Sequence, residues 1–126
     1  MTVRVIENNE MPAALGPYSQ AVAASGELVF ISGQAGIDPL TGEIPADFGP
    51  QARKAFQNLS RIVAAAGLSM SDVAKTTIYL ADAAHFADLN DLFGEFFPGS
   101  PPTRAVPIVQ LPKGLLISIE AVAVRS

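Results

Sequence analysis

The sequence predicts a single α+β domain over residues 1–126, in which a mixed β-sheet carries two helices on one face. Two segments with apolar residues at a 3.6-residue period predict the helices, and short strand-like segments surround them in the order βββ-α-β-α-ββ. No repeat, charge block or low-complexity linker divides the chain, and its length is typical of one domain. Two helices are too few to cover both faces of such a sheet, so we expect both on the same face.

The first part of the chain is predicted to be β-structure. Val3–Ile6 is expected to form a short strand. Ala21–Ser25 and Leu28–Ser32 are separated by a two-residue turn, so they predict a β-hairpin. We expect strand structure again between Ala35 and Ile44, interrupted by a turn at residues Asp38–Gly42.

Two helices follow from the spacing of apolar residues. Asp47 is expected to cap the first helix, and Gly67 to end it. Asp82 is expected to cap the second helix, which ends before Pro98. The predicted buried faces consist of Phe48, Ala52, Ala55, Phe56, Leu59, Ile62, Val63 and Ala66 in the first helix, and of Phe86, Leu89, Leu92, Phe93 and Phe96 in the second.

Three further strands complete the predicted sheet. Val73–Leu80 is rich in Thr, Ile and Tyr and lies between the helices. Arg104–Leu111 and Leu115–Val124 are joined by Pro112–Gly114 and are expected to pair as an antiparallel hairpin. The chain is 49% hydrophobic and only 16% charged, so we expect the bare face of the sheet to be covered by another copy of the chain.

Composition argues against several classes of function. The net charge is −4 and the eight basic residues are scattered, so a nucleic-acid surface is disfavoured. The absence of cysteine excludes disulfides, thiolate metal sites and cysteine nucleophiles, and one histidine cannot form a multi-histidine zinc site. No phosphate loop, nucleophile elbow or metal-binding helix motif is present, so no cofactor and no metal are predicted. Without a signal-peptide core or an apolar run of membrane-spanning length, the chain is expected to be cytoplasmic.

Two charged residues stand out as a candidate catalytic pair. Glu120 is the only charged residue of the strand-like segment Leu115–Val124, and Arg104 opens an apolar segment just after a proline-rich turn. A carboxylate in such surroundings loses hydration, which costs roughly several kcal/mol if the group has no partner. Such a group is therefore expected to form an ion pair, to accept hydrogen bonds or to take part in the function of the protein. Each residue also has an ordinary interpretation, since Glu120 could form a purely structural ion pair and Arg104 could be a surface arginine.

Four other residues are candidates with equally ordinary alternatives. Tyr18 follows Gly16 and Pro17 in a loop, but it could belong to the core. Ser32 and Gly33 could simply end a strand, and Asn90 could be an exposed residue of the second helix.

Taken together, these positions resemble those of one family. The chain is similar to the RidA family of reactive intermediate deaminases, also called the YjgF family and also labelled L-PSP endoribonuclease, from about residue 5 to the last residue. The segments that carry the resemblance are GPYSQA at 16–21, ISGQ at 31–34, DPLTGEI at 38–44, QARKAFQNL at 51–59, KTTIYLAD at 75–82, PPTRA at 101–105, LPKG at 111–114 and IEAVAV at 119–124.

The resemblance implies a fold and an assembly. The fold would be the chorismate-mutase-like α+β fold, in a homotrimer whose sheets pack inward and whose three clefts lie between subunits. The implied reaction is hydrolysis of enamine and imine intermediates, above all 2-aminoacrylate, to 2-keto acids and ammonia, with a small imino acid as substrate. The composition, independently, predicts no membrane partner and disfavours a nucleic-acid partner.

The resemblance also implies roles for individual residues. Arg104 would bind the substrate carboxylate, and Glu120 would hold and polarise the attacking water. Tyr18 would close the cleft from a neighbouring subunit. Ser32, Gly33, Asn90 and the residue at position 106 would shape the cleft.

Position 106 departs from the pattern of the family. Many members have a cysteine two residues after the arginine, whereas this chain has Val106, followed by Pro107. A role for that thiol is therefore impossible here, and a water-based mechanism is unaffected. Pro107 lacks a backbone donor, so we expect the strand to be unpaired there or to lie at a sheet edge.

Two other functions compete with the deaminase interpretation. An endoribonuclease or translation inhibitor would follow from the other label of the family, but ribonuclease chemistry usually requires paired histidines or metal-binding carboxylates. A non-catalytic module that binds small carboxylates would use Arg104 equally well, but it would not require Glu120.

Overall fold

The computed structural model describes residues 3–126 and contains six strands and two α-helices in that range. Short 3₁₀ turns at Met70–Asp72, Ala83–His85 and Pro112–Gly114 connect several of the elements. The elements in chain order are β1 (Val3–Ile6), β2 (Ala21–Ala24), β3 (Glu27–Ala35), α1 (Phe48–Ala65), β4 (Val73–Leu80), α2 (Phe86–Phe96), β5 (Thr103–Ala105) and β6 (Ile117–Arg125).

The strands form two sheets. The main sheet has the order β3-β6-β4-β5, in which β4 and β5 are parallel and the other pairs are antiparallel. The small sheet is the antiparallel pair β1-β2. The predicted α+β domain with a mixed sheet and two helices is confirmed. The edge position of β5 also agrees with the expectation raised by Pro107, since β5 ends at Ala105.

The core lies between the helices and one face of the main sheet. Alternate residues of β6 are buried towards the helices, as the two-residue period of a strand requires. Phe56 of α1 stacks on Phe96 and meets Phe93 edge-on, so aromatic contacts join the two helices. The fully buried side chains of this core include Phe56, Leu59, Val63, Ile78, Leu80, Leu89, Phe93, Ile117 and Ile119.

The opposite face of the main sheet carries no helix. Glu120 and Val122 of β6 lie on this face by the alternation of the strand, and Phe30 of β3 pairs with Val122 there. The small sheet covers one end of the face, because Val3 and Val22 pack with Ala74 and Val124. The chain therefore covers part of the bare face itself, and Phe30 remains 74% exposed beside the uncovered part.

Both predicted hairpins are wrong. β2 pairs with β1 and β3 pairs with β6, so the short turn at Gly26 joins two strands of different sheets. Likewise, β5 pairs with β4 rather than β6, and residues 106–111 form only an isolated bridge between Ile108 and Leu80. The physical reason is that α2 connects β4 to β5 as a crossover, which makes the two strands parallel neighbours.

Three smaller predictions also need correction. β3 ends at Ala35, and no strand follows before α1; the backbone N–H groups of Leu40 and Thr41 donate to the Asp38 carboxylate in the predicted turn, which lowers the pKa of Asp38. Ile62 is 44% exposed, so the buried face of α1 is narrower than predicted. Asp47 precedes α1 without a side-chain capping bond, whereas Asp82 does accept a bond from the backbone of Ala84.

None of the helices in the described part of the chain is long and apolar enough to cross a membrane.

Candidate active site

Arg104 lies on the helix side of the sheet, at its edge. It pairs with Thr76, which is fully buried and faces the core, and neighbours in register on parallel strands share a face. The guanidinium carbon is 4.9 Å from the ring centroid of Tyr18, 5.3 Å from that of Phe86 and 5.1 Å from that of Phe93. Three aromatic rings therefore surround a single cation within the range of cation–π attraction.

The guanidinium of Arg104 is buried without a polar partner. Neither Nη1 nor Nη2 forms a hydrogen bond with any of residues 3–126, and the same holds for the nearby Asn90 Oδ1. Burial lowers the pKa of Arg104, and Tyr18 opposes this shift electrostatically. An arginine offers five N–H donors in a fork that matches a carboxylate, so unpaired Nη atoms in an aromatic pocket are suited to a small anion.

The loop before β2 holds Tyr18 over Arg104. Ser19 donates from its backbone N–H to Pro102 and from its hydroxyl to Pro101, which ties the loop to the turn before β5. Gly16 lies where this loop comes closest to Arg104 and Asn90. A Cβ on Gly16 would lie 2.5 Å from both Arg104 Nη2 and Asn90 Oδ1. We call Arg104, Tyr18, Asn90, Phe86 and Phe93 the arginine pocket.

Glu120 lies on the other face of the sheet. Directly opposite it on β4 is Thr77, and the hydroxyl of Tyr79, one step further along the same face, donates to Glu120 Oε1 at 2.7 Å. This bond and the burial and charge around it raise the pKa of Tyr79. The carboxylate borders a cavity of about 410 Å³ whose other lining residues are Phe30, Ile31, Lys75, Thr77, Ala121 and Val122.

Ser32 and Gly33 lie at an irregularity of β3, close to the Glu120 strand. The register between β3 and β6 shifts between Ile31 and Gln34, as at a β-bulge. A Cβ on Gly33 would lie 2.7 Å from the Ser118 hydroxyl, and Ser118 shares its face of β6 with Glu120. We call Glu120, Tyr79, Ser118 and Gly33 the carboxylate face.

The two predicted catalytic charges do not meet within one protomer. β5 and β6 are separated by β4, which corresponds to about 10 Å, and the side chains of Arg104 and Glu120 point to opposite faces. Within the described chain, the hydrogen-bond partner of Glu120 is Tyr79. Tyr18, expected from a neighbouring subunit, lies beside Arg104 of its own protomer.

Asn90 and Val106 are the two remaining site residues predicted from the sequence. Asn90 of α2 joins the arginine pocket, where its Nδ2 donates to the backbone oxygen of Leu15. Val106 follows β5 and packs against the main core as a partly buried residue. Within residues 3–126, no group of three or more His, Cys, Asp or Glu side chains could hold a metal ion.

Comparison with known proteins identifies the family. A sequence model of the family described as endoribonuclease L-PSP matches residues 8–125, which is nearly the whole chain. The chain belongs to the endoribonuclease L-PSP family. The resemblance to RidA is confirmed, because solved structures named RidA and YjgF are among the neighbours of this family member.

Two relatives of this family member are named as deaminases. The Escherichia coli protein named putative reactive intermediate deaminase TdcF is 45% identical over 98% of both chains. The mouse protein named 2-iminobutanoate/2-iminopropanoate deaminase is 42% identical over 97% of this chain and 91% of its own.

Solved structures of the family share this fold. The crystal structure of E. coli TdcF with bound serine is 44% identical and covers 98% of this chain and 99% of its own, with a TM-score of 0.77. RidA from an Antarctic Psychrobacter is 41% identical over 97% of this chain and 99% of its own, also with a TM-score of 0.77.

Three residues of the arginine pocket and the carboxylate face were not predicted as site residues from the sequence. Phe86 and Phe93 were expected to be ordinary core residues, yet both rings face the Arg104 guanidinium. Tyr79 was read only as part of a strand. The one feature of the sequence that could have indicated Tyr79 is a tyrosine on the half-exposed face of β4. The hydrogen bond from Tyr79 to Glu120 depends on the register between β4 and β6, which no local pattern reveals.

Proposed function

We propose that this protein is a deaminase of reactive 2-imino acids, such as 2-aminoacrylate and its tautomer 2-iminopropanoate. The observation that carries the proposal is the buried guanidinium of Arg104, whose Nη atoms have no partner among the described residues. Leaving buried donors unpaired is costly, so a site of this kind is usually completed by a ligand. The family membership and the names of the relatives agree with a small amino-acid-like substrate.

Arg104 binds the substrate through its carboxylate. Two parallel N–H···O bonds fix the plane of the carboxylate, and the rings of Tyr18, Phe86 and Phe93 exclude water around it. This contact places C2 of the imino acid at a defined distance from the guanidinium. Orientation of this kind removes much of the entropic part of the barrier.

Glu120 acts as the general base for the attacking water. The carboxylate accepts a proton as the water oxygen bonds to C2, and the electron pair of the C2=N bond moves to nitrogen. The resulting carbinolamine takes this proton on its amino nitrogen, and ammonia leaves as the C2–N bond breaks. The hydroxyl oxygen becomes the carbonyl oxygen of the 2-keto acid, and its proton passes back to the Glu120 carboxylate. The iminium carbon is already electrophilic, so a general base that contributes about 10²–10⁴-fold is sufficient.

We also propose that the complete site lies between two copies of the chain, in a homotrimer. The arginine pocket of one copy would face the carboxylate face of its neighbour, because β4 separates the two regions within one protomer. Both regions are bordered by exposed apolar side chains that a second copy would cover. Leu15 is 78% exposed beside the arginine pocket, and Phe30 is 74% exposed beside Glu120.

The reaction is tested by generating the imine in place. An amino-acid oxidase or a serine dehydratase supplies the 2-imino acid, and the release of keto acid is followed with and without the protein. The expected result is faster release than spontaneous hydrolysis, lost on Arg104→Ala and retained on Arg61→Ala, an exposed arginine of α1. Release at the spontaneous rate with wild-type protein contradicts the proposal.

The division of the site between copies is tested by mixing inactive variants. Arg104→Ala and Glu120→Gln are unfolded together in equal amounts and refolded, and the mass of the oligomer is measured by light scattering. In a trimer with random mixing, about a quarter of all sites would combine an intact Arg104 with an intact Glu120 from its neighbour, so about a quarter of the activity should return. No recovery would assign both residues to the same copy.

The competing functions give other outcomes in these assays. A carboxylate-binding module would bind the ligand in wild type and in Glu120→Gln, without turnover in either. An endoribonuclease would cleave RNA in a salt-sensitive manner and would lose this activity on Glu120→Gln.

A further inference from the structure

Tyr79 is the hydrogen-bond partner of the proposed general base. Its hydroxyl donates to Glu120 Oε1 at 2.7 Å, which is a normal length for a bond between a phenol and a carboxylate. No other residue among 3–126 donates a hydrogen bond to Glu120. The second oxygen, Oε2, is therefore not engaged by the described part of the protomer.

The strand register brings the tyrosine to this oxygen. Thr77 is directly opposite Glu120 across β4 and β6, and Tyr79 is opposite Ser118, two residues further along the same face. A phenol is long enough to reach a diagonal neighbour across two strands, whereas a threonine hydroxyl is not. The Thr77 hydroxyl instead accepts a bond from Lys75 Nζ at 3.0 Å. Between Thr77 and Tyr79, it is therefore Tyr79 that contacts Glu120.

We propose that Tyr79 is a positioning residue for the deaminase reaction: it anchors Glu120 Oε1 and so directs Oε2 at the attacking water. This inference rests on the proposed deaminase function. A glutamate side chain has several rotatable bonds, and its carboxylate would otherwise sample several orientations in the half-exposed cavity. An anchored oxygen leaves one defined lone-pair direction for the water.

The two kinetic constants distinguish this role from a structural one. Removal of the phenol hydroxyl should disturb the orientation of the base and therefore lower kcat, with little effect on KM. A purely structural cross-strand contact would change the melting temperature without changing kcat.

The contact can be tested by titrating the phenol itself. The chain has two tyrosines and no tryptophan, so the variant Tyr18→Phe leaves Tyr79 as the only source of phenolate absorbance. The pKa of Tyr79 is raised by its bond to Glu120, by burial and by the carboxylate charge, in that order. In the Tyr18→Phe background, the phenol should titrate above its ordinary value, and adding Glu120→Gln should lower the midpoint.

A matched control separates this contact from a general change in charge. Glu43→Gln in the same Tyr18→Phe background removes an exposed carboxylate from the loop before α1, and it should leave the midpoint of the titration unchanged. A midpoint that is insensitive to Glu120→Gln would show that the two side chains are not in contact, and it would overturn the inference.

The role in the reaction is tested with Tyr79→Phe, which keeps the ring and removes only the hydroxyl. The expected result is a decrease in kcat of about three- to tenfold, part of the about 10²–10⁴-fold contribution of a general base, with KM within about twofold of wild type. Tyr18→Phe should instead raise KM.

Two failures are distinguishable. If wild-type protein hydrolyses 2-imino acids but Tyr79→Phe has an unchanged kcat, the inference fails and the proposed function stands. If wild-type protein does not accelerate the hydrolysis, the proposed function fails, and the role of Tyr79 in it fails as well. In that case the phenol titration still reports whether the contact with Glu120 exists.

Discussion

The arginine pocket and the carboxylate face differ in how their charges are satisfied. Arg104 is enclosed by three aromatic rings, and its Nη atoms have no polar partner among residues 3–126. Glu120 lies beside an open cavity and already has Tyr79 as a hydrogen-bond partner. The arginine pocket therefore contains donors that the described residues leave unpaired, whereas the charge of the carboxylate face already has a hydrogen-bond donor.

The difference suggests a division of labour within the proposed site. The unpaired cation is suited to ground-state binding, since a substrate carboxylate satisfies it fully. The supported carboxylate is suited to chemistry, since its orientation is set before the substrate arrives. Variants in the arginine pocket should therefore act mainly through substrate binding, and variants on the carboxylate face mainly through kcat.

Replacement of the cation should have the largest effect. Arg104→Met should lower kcat/KM by about 100- to 1,000-fold, because two charge-assisted hydrogen bonds together are worth roughly 3–4 kcal/mol. The melting temperature should stay the same or rise, because a buried unpaired charge is replaced by an apolar chain of similar length. Steady-state kinetics and thermal unfolding check both parts. A large loss of stability with retained activity would make Arg104 structural.

Replacement of the carboxylate should have the next largest effect. Glu120→Gln should lower kcat by about 100-fold, within the usual contribution of a general base, and leave substrate binding nearly unchanged. Binding of a stable 2-keto acid, measured by calorimetry, should persist in this variant and be lost in Arg104→Met. Equal loss of binding in both variants would remove the contrast between the two regions.

A methyl group at Gly16 should disturb the arginine pocket from outside. Gly16→Ala would place Cβ 2.5 Å from both Arg104 Nη2 and Asn90 Oδ1, so both side chains would have to move. We expect KM to rise about tenfold and kcat to change less, because a misplaced guanidinium binds the carboxylate poorly. Gly49→Ala, in α1 with no atom within 4 Å of the added Cβ, is the matched control and should be neutral. An unchanged KM in Gly16→Ala would exclude this arrangement of the loop.

A methyl group at Gly33 should have the smallest effect. Its Cβ would lie 2.7 Å from the Ser118 hydroxyl, the end of a short side chain that can rotate away. We expect Gly33→Ala to lower kcat about two- to threefold, since the strain reaches Glu120 only through Ser118. The double variant with Ser118→Ala should recover most of the loss in a double-mutant cycle. Simple additivity would show that the two positions are not in contact.

The sequence was sufficient for elements with a strong local pattern. The bounds of β4 and the burial of most of the α1 face were predicted because periodicity is a property of neighbouring residues. The pairing of strands was not predictable in the same way. β2 and β3 are separated by only two residues, Ser25 and Gly26, yet belong to different sheets, because their partners β1 and β6 lie elsewhere in the chain.

The candidate site shows the same difference between what a local pattern predicts and what strand pairing decides. Glu120 could be recognised as an unusual charge in an apolar strand, and Arg104 by its position after a proline turn. Their separation could not be recognised, since it depends on the insertion of β4 between β5 and β6. The aromatic surroundings of Arg104 were hidden for a related reason, because helix periodicity describes Phe86 and Phe93 as core and does not reveal which side chain they meet.

The short parallel pairing of β5 makes the turn before it sensitive to length. Side chains alternate between faces along a strand, so a slip of one residue at Thr103–Ala105 would turn Arg104 away from α2. An insertion or deletion of one residue between Phe97 and Pro102 could therefore transfer a cation from one surface of the sheet to the other. Loop length in this region would then act on ligand specificity with no change in any side chain that touches the ligand.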